Sequence, residues 1–428
     1  MLLNNDLGIK TGLTLCLLLA LAGCSDSNES AAGEGFKTGV SDNSDTNTDD
    51  SDNNSGNSEF DQKGLLTALS QHVFVPSVQS FETKSQTLIS TVTSYCQAIE
   101  TESGDVETHQ QSAKQAWVET MNQWQQLEVM QVGPLTDNDG KLRNIVYSWP
   151  TTSQCSVDQD VGHFENGTIN DNPYDITRRT NTRRGLDAAE YLLFNDDLNH
   201  SCSKDSLAPA GWNDRTDTAK QLARCNFTVE LATDINNTAK QITMAWTAEQ
   251  SGFHSLLTSA GESGNKFESA QAAINHITDA MFYVDSITKD AKLAAPIGLS
   301  ANSCGDAACV ADVESRFSHN AVNNIRANMV ALQSLFLGAP IGTDALGFDD
   351  YLKAVEQEEL ANTMATDIKA AIDATDAFEG TMTDAVTNTP NKIQALHLAV
   401  KKVTDNLKSL FITYLSLELP LTSAGDAD

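Results

Sequence analysis

The sequence predicts an all-α protein built as two helical bundles. Apolar residues recur at three- and four-residue steps over long segments, which is the spacing of one helix face. Short runs of alternating β-branched residues, the mark of strands, are scarce. The periodic segments are separated by polar connectors rich in Gly, Pro, Asn and Asp, which punctuate helices.

Taken in chain order, the first feature is a leader. Residues 12–22 are Leu-rich, Lys10 precedes them, and the stretch closes on Leu21-Ala22-Gly23-Cys24. An apolar run of this length falls short of the roughly 20 residues that a spanning helix needs. Leu-Ala-Gly-Cys resembles a lipobox, which implies that 1–23 is a lipoprotein signal and that Cys24 carries the lipid anchor. Ser25 after the Cys points to the outer membrane, periplasmic or surface face. Residues 24–60 are Ser, Asn, Asp, Gly and Thr with almost no large apolar side chain. Such a stretch cannot offset its own chain entropy, so it reads as a disordered acidic tether.

The folded part is expected over 61–420. Helical periodicity runs over 64–99 with a break near Pro76, then over 111–132, where Trp117, Met121, Trp124, Leu127 and Met130 share a face and Gly133-Pro134 ends the segment. It resumes at 186–194, 229–246, 267–287, 321–336, 349–377 and 392–417. The Gly-rich stretch 259–265 divides a first bundle, 61–258, from a second, 265–420. An echo between Gly133-Pro134-Leu135-Thr136-Asp137 and Ala339-Pro340-Ile341-Gly342-Thr343-Asp344 is what an internal duplication would leave, although turns reuse these residues.

Connectors 137–179 and 195–226 are long, polar and cysteine-bearing. Loops of such length need pinning or carry function. Cys16 leaves with the leader and Cys24 takes the lipid, so Cys96, Cys155, Cys202, Cys225, Cys304 and Cys309 remain, an even set for an oxidising compartment. Closeness in sequence favours Cys304 with Cys309, Cys202 with Cys225, and Cys96 with Cys155. No Cys-x-x-Cys pair supports zinc. The formal charge of -31 argues against nucleic acid and anionic lipid heads as partners and suits a protein that meets cations.

Chemistry concentrates in one short helix, Gly185-Leu186-Asp187-Ala188-Ala189-Glu190-Tyr191-Leu192-Leu193-Phe194. It is apolar nearly all round, so Asp187 and Glu190 are expected to be partly buried, and each then needs a partner. Two kinds are available. Arg178, Arg179, Arg183 and Arg184 lie just upstream and could form ion pairs; alternatively, the i, i+3 carboxylates could hold a cation, as such pairs do in metal-binding bundles. There is no His-Glu-x-x-His, Gly-x-Ser-x-Gly, phosphate loop or dinucleotide fingerprint.

Several stretches together resemble the imelysin-like proteins, also grouped as peptidase M75, which include iron-regulated envelope proteins. They are Val75-Pro76 with Phe81, Leu88 and Tyr95-Cys96; Trp117, Trp124, Glu128 and Gly133-Pro134; Tyr147-Ser148-Trp149-Pro150 with Cys155-Ser156-Val157-Asp158; residues 290–298 (DAKLAAPIG); and Glu314-Ser315-Arg316-Phe317-Ser318. The family signature is Gly-x-His-x-x-Glu, and the matching stretch here runs from Gly185 to Glu190 with Asp187 in place of His. The resemblance implies an all-α fold with the signature near the junction of two bundles. It makes Asp187 and Glu190 the candidate metal or ligand site; the long connectors could cover it, with Gly185, Trp149, Asp158, Glu314 and Ser318 as candidate lining, against structural roles as a packed Trp, helix caps and a solvated Glu.

A carboxylate is a hard oxygen donor, so the variant signature suits ferric iron or a hard divalent ion and makes a poor zinc-peptidase site. The expected function is a non-catalytic, envelope-tethered cation or ligand binding protein linked to metal acquisition. An M75-type metallopeptidase using Glu190 and a helical surface scaffold are the alternatives.

Overall fold

The computed structural model describes residues 60–305 and 307–420. The leader, Cys24 and nearly all of the tether lie outside the described residues. Helices dominate, and the β-structure seen is a two-stranded hairpin, Thr168–Ile169 against Asn172–Pro173, with an isolated bridge at Asn302 and Gly305.

The long helices are α1 (Val75–Glu100), α2 (Val106–Glu128), α3 (Gln154–Asn166), α4 (Gly185–Phe194), α5 (Asp217–Thr247), α6 (Ala270–Met281), α7 (Ala321–Phe336), α8 (Glu358–Asp376) and α9 (Pro390–Asn406). In the first half α1 packs along both α2 and α5, and α4 lies against α5 and α2. In the second half α7 packs on α8, and α9 on α8 and on the π-helical segment Val284–Ala294. Contact between α2 and α7 links the two sets, and their apolar faces feed one continuous core. The stripe read on α2 is that core: Trp117, Met121, Trp124, Leu127 and Met130 are all buried. The stretch 259–265 forms the turn between Phe253–Thr258 and α6.

The chain does not break at Pro76. The backbone stays helical through Phe74 and Val75, and Leu69–Phe74 widens into a π turn. Proline lacks an N–H and its ring crowds the carbonyl four residues back; a wider turn accommodates both without ending the helix. The connector 137–179 is also more ordered than its composition suggests. It contains a helix over Asp137–Val146 and then α3, which Ser153 caps by accepting from Ser156 N and which Gly167 ends in the left-handed conformation.

Closeness in sequence picked the wrong partners for four of the six cysteines. The disulfides are Cys96–Cys225, Cys155–Cys202 and Cys304–Cys309. The side-by-side packing of α1 and α5 brings Cys96 to Cys225 across 129 residues. Cys202 is thereby left to pin the second connector to α3 through Cys155.

Candidate functional site: a buried carboxylate centre

Two constraints set the position of α4. The indole of Trp117 on α2 donates to the carbonyl of Leu186 at 2.9 Å. Gly185 has φ +84, and a Cβ there would lie 2.5 Å from the carbonyl oxygen of Val146. Only glycine takes that backbone conformation at that approach without strain, which is the physical reason for the signature Gly. Every residue from Gly185 to Leu193 is buried, so Asp187 and Glu190 are held inside the protein, 8% and 5% exposed.

Neither carboxylate meets an arginine. Arg179 grips Asp160 with two bonds of 2.8 Å, and Arg183 reaches the same carboxylate at 2.7 Å. Arg184 forks onto Asp234 at 2.8 and 2.5 Å, and Arg178 is exposed. The ion-pair reading of the signature therefore fails: the upstream arginines serve other acids.

Instead, Asp187 Oδ2 accepts from the Ser148 amide at 2.8 Å, and Thr152 also bonds to the carboxylate. Glu190 Oε1 accepts from the amides of Phe317 and Ser318, at 3.1 and 2.8 Å, and from the Ser318 hydroxyl at 2.8 Å. The loop that delivers those groups contains Ser315 and His319, both at positive φ, a conformation non-glycine residues hold only where surroundings impose it. Burial pushes Asp187 well above the usual carboxylate range against the opposing Ser148 amide, and the charges of Glu190 and Glu314 raise it further. Burial likewise pushes Glu190 up to about 7, although three donors on Phe317 and Ser318 oppose it.

Glu314 is the third member. Its Oε1 accepts from the Tyr147 hydroxyl at 2.6 Å, from Gln125 at 3.1 Å and from the Lys292 ammonium at 3.1 Å. Its Oε2 is buried without a hydrogen-bond partner among the described residues. Lys292, on the π-helical segment, is itself held by Gln125 and Asn328 at 2.5 and 2.9 Å. Beside this centre opens a cleft of about 620 Å³, lined by Tyr147, Ser148, Trp149, Tyr283 and Glu128 among others.

Of the residues read from sequence, Asp187, Glu190, Glu314 and Ser318 meet, Gly185 positions the helix, and Trp149 lines the cleft. Asp158 does neither. It is fully buried and accepts from the Tyr191 hydroxyl and from the amide and hydroxyl of Ser201, so it anchors the second connector. Gln125 and Tyr283 carry no signal in the sequence reading, while Tyr147, Lys292 and Glu128 enter it only as marks of the resemblance. One signal was present for Glu128: a carboxylate four residues after Trp124 on an otherwise apolar stripe.

Fold and site define an all-α protein with an acidic centre behind a cleft, carried by a Gly-x-Asp-x-x-Glu helix. The chain belongs to the imelysin family, whose model, also designated peptidase M75, matches residues 74–410. Two solved structures share the fold. One is described as an iron-regulated protein A precursor from Parabacteroides distasonis ATCC 8503, with 18% identity over 83% of this chain and 95% of that one, TM-score 0.63. The other is an imelysin-like protein from Psychrobacter arcticum 273-4, with 15% identity over 84% and 97%, TM-score 0.56. No curated protein matches the chain.

The groups that could ligate a cation at the centre are carboxylate oxygens, and among the described residues no histidine hydrogen-bonds to Asp187 or Glu190. Among the described residues, no three His, Cys, Asp or Glu side chains are arranged to hold a metal ion. A preformed zinc-peptidase centre, which draws three protein ligands to one point, does not fit these residues.

Proposed function

We propose that this chain is an envelope-tethered, non-catalytic imelysin-like lipoprotein that binds a hard cation as cargo, iron being the ion that the name of one fold neighbour suggests. One observation carries the reading. Asp187, Glu190 and Glu314 are buried together, and among the described residues a single ammonium touches Glu314 and no arginine neutralises the other two. A buried acid without a counter-charge is costly, and a cation is the ligand that relieves the cost. All-oxygen donors favour ferric, calcium or manganese ions over zinc. Since three donors are not yet arranged around one point, loading must shift side chains. The Leu21-Ala22-Gly23-Cys24 lipobox and the acidic tether support the outer-membrane anchorage, and no described helix is long and apolar enough to cross a membrane.

The test is to load the purified protein with ferric, calcium, manganese or zinc ions and measure stoichiometry by calorimetry and elemental analysis. One hard ion per chain is expected, lost in the Asp187→Ala, Glu190→Ala double variant. No bound ion, or binding that survives the double substitution, ends the proposal. A second reading, a metallopeptidase with Glu190 as base, is supported by a carboxyl pushed to about 7, where a general base works best. It predicts metal-dependent peptide cleavage that stops in Glu190→Gln.

A further inference from the structure

The cleft shares Tyr147 and Ser148 with the carboxylates behind it and has charged groups of its own. At about 620 Å³ it falls in the size range of small-molecule sites. Its lining carries two charges, Glu128 and Arg143, and the rings of Tyr147, Trp149 and Tyr283. The two charges do not touch. Gln131 stands between them, donating from Nε2 to Glu128 Oε2 at 3.1 Å and accepting at Oε1 from Arg143 Nη1 at 2.6 Å.

This spacing is informative. A direct bidentate pair would have been the stronger contact between an arginine and a carboxylate. An amide inserted between them leaves a carboxylate and a guanidinium as neighbours in the lining of one cleft, the carboxylate buried and also bonded by the Tyr283 hydroxyl. Arg143 Nε is bonded to Asn144, and its Nη2 makes no hydrogen bond among the described residues. The bridged gap from carboxylate oxygen to guanidinium nitrogen is at most about 8 Å, being two hydrogen bonds and one amide. An α-amino acid that hydrogen-bonds through both its ammonium and its carboxylate spans about the same length.

We propose that the cleft binds a free α-amino acid with an apolar side chain, its ammonium on Glu128 and its carboxylate on Arg143. The half-buried Trp149 in the lining is the ring that would favour the ammonium by cation–π attraction, since the face of Tyr283 already carries the Lys292 ammonium at 5.3 Å. Ile287 and Ala291 supply the apolar wall for the side chain. Gln131 sets the separation of the two charges and so selects the length of ligand. The site stands or falls independently of cation binding at Asp187 and Glu190.

The experiment is calorimetry on the purified protein with L-leucine, N-acetyl-leucine, which lacks the ammonium, and leucinamide, which lacks the carboxylate. Leucine is expected to bind at least about tenfold more tightly than either blocked form, a difference of about 1.4 kcal/mol. Glu128→Gln should abolish the discrimination against N-acetyl-leucine, and Arg143→Met the discrimination against leucinamide, with melting curves confirming that both variants fold. Absence of leucine binding into the millimolar range, or equal binding of the three compounds by the wild-type protein, overturns the proposal without any variant.

Discussion

Buried acids in this protein are handled in two ways. Asp160 and Asp234 sit in the first half under guanidinium groups: Arg179 and Arg183 on one, Arg184 on the other. Asp187 and Glu190, a few residues after those arginines in sequence, receive only amides and hydroxyls among the described residues. Burial pushes Asp234 upward too, but there a guanidinium opposes it, whereas at Asp187 a single amide leads the opposition. The arginines next to the signature in sequence are turned away from it. Where the acid secures the connectors, the fold supplies a counter-charge; at the signature it withholds one, and the unmet charge is what a ligand can answer.

Breaking the first kind of contact should have the largest effect. Asp160→Ala strands Arg179 and Arg183 over a buried hole and is expected to lower stability by about 3–5 kcal/mol, read as a shift in denaturant midpoint at unchanged slope. A loss below about 1 kcal/mol would mean that the pairing is ornamental and the contrast false.

The second region should show itself through pH. Glu190 holds its proton up to about 7 in the folded protein, above its ordinary 4.5. Between those values the folded state therefore binds more protons than the unfolded chain. Stability is highest below the lower value and falls as pH rises through the window, by an amount on the order of 3 kcal/mol, levelling above about 7. Asp187 is also raised, so it adds to the fall from its ordinary 3.8 upward. Melting curves across this range should show the decline in the wild-type protein and a flatter profile in the Asp187→Asn, Glu190→Gln variant.

The smallest effect is the sharpest discriminator. At pH 8 that same variant should lie within about 1 kcal/mol of wild type or be more stable, because the amides keep an acceptor for Ser148 and Ser318 while losing the buried charge. A loss as large as that of Asp160→Ala would show that the signature acids hold the fold together, leaving no unmet charge for a cation.

Much of this was legible beforehand. The α2 stripe, the breadth of helix and the apolar wrapping of Asp187 and Glu190 follow from residue spacing, because a helix face repeats over a few residues. The Gly185 requirement was visible only as a motif; its cause is the carbonyl of Val146, 39 residues away in sequence. The arginine alternative was a fair reading of proximity, and it failed because Asp160 and Asp234 compete for those side chains from α3 and α5.

By itself, then, the sequence determined the helical class, the helices that carry the core and the short helix that carries the chemistry. These are properties of local period, capping and burial, and they need no knowledge of neighbours. Only the tertiary structure decided which cysteines pair, which acids receive arginines, and that Tyr147 and Lys292 hold Glu314 at the buried centre. Those choices depend on which helix faces which, and packing between distant segments is settled by the shape of the whole core, which no local pattern encodes.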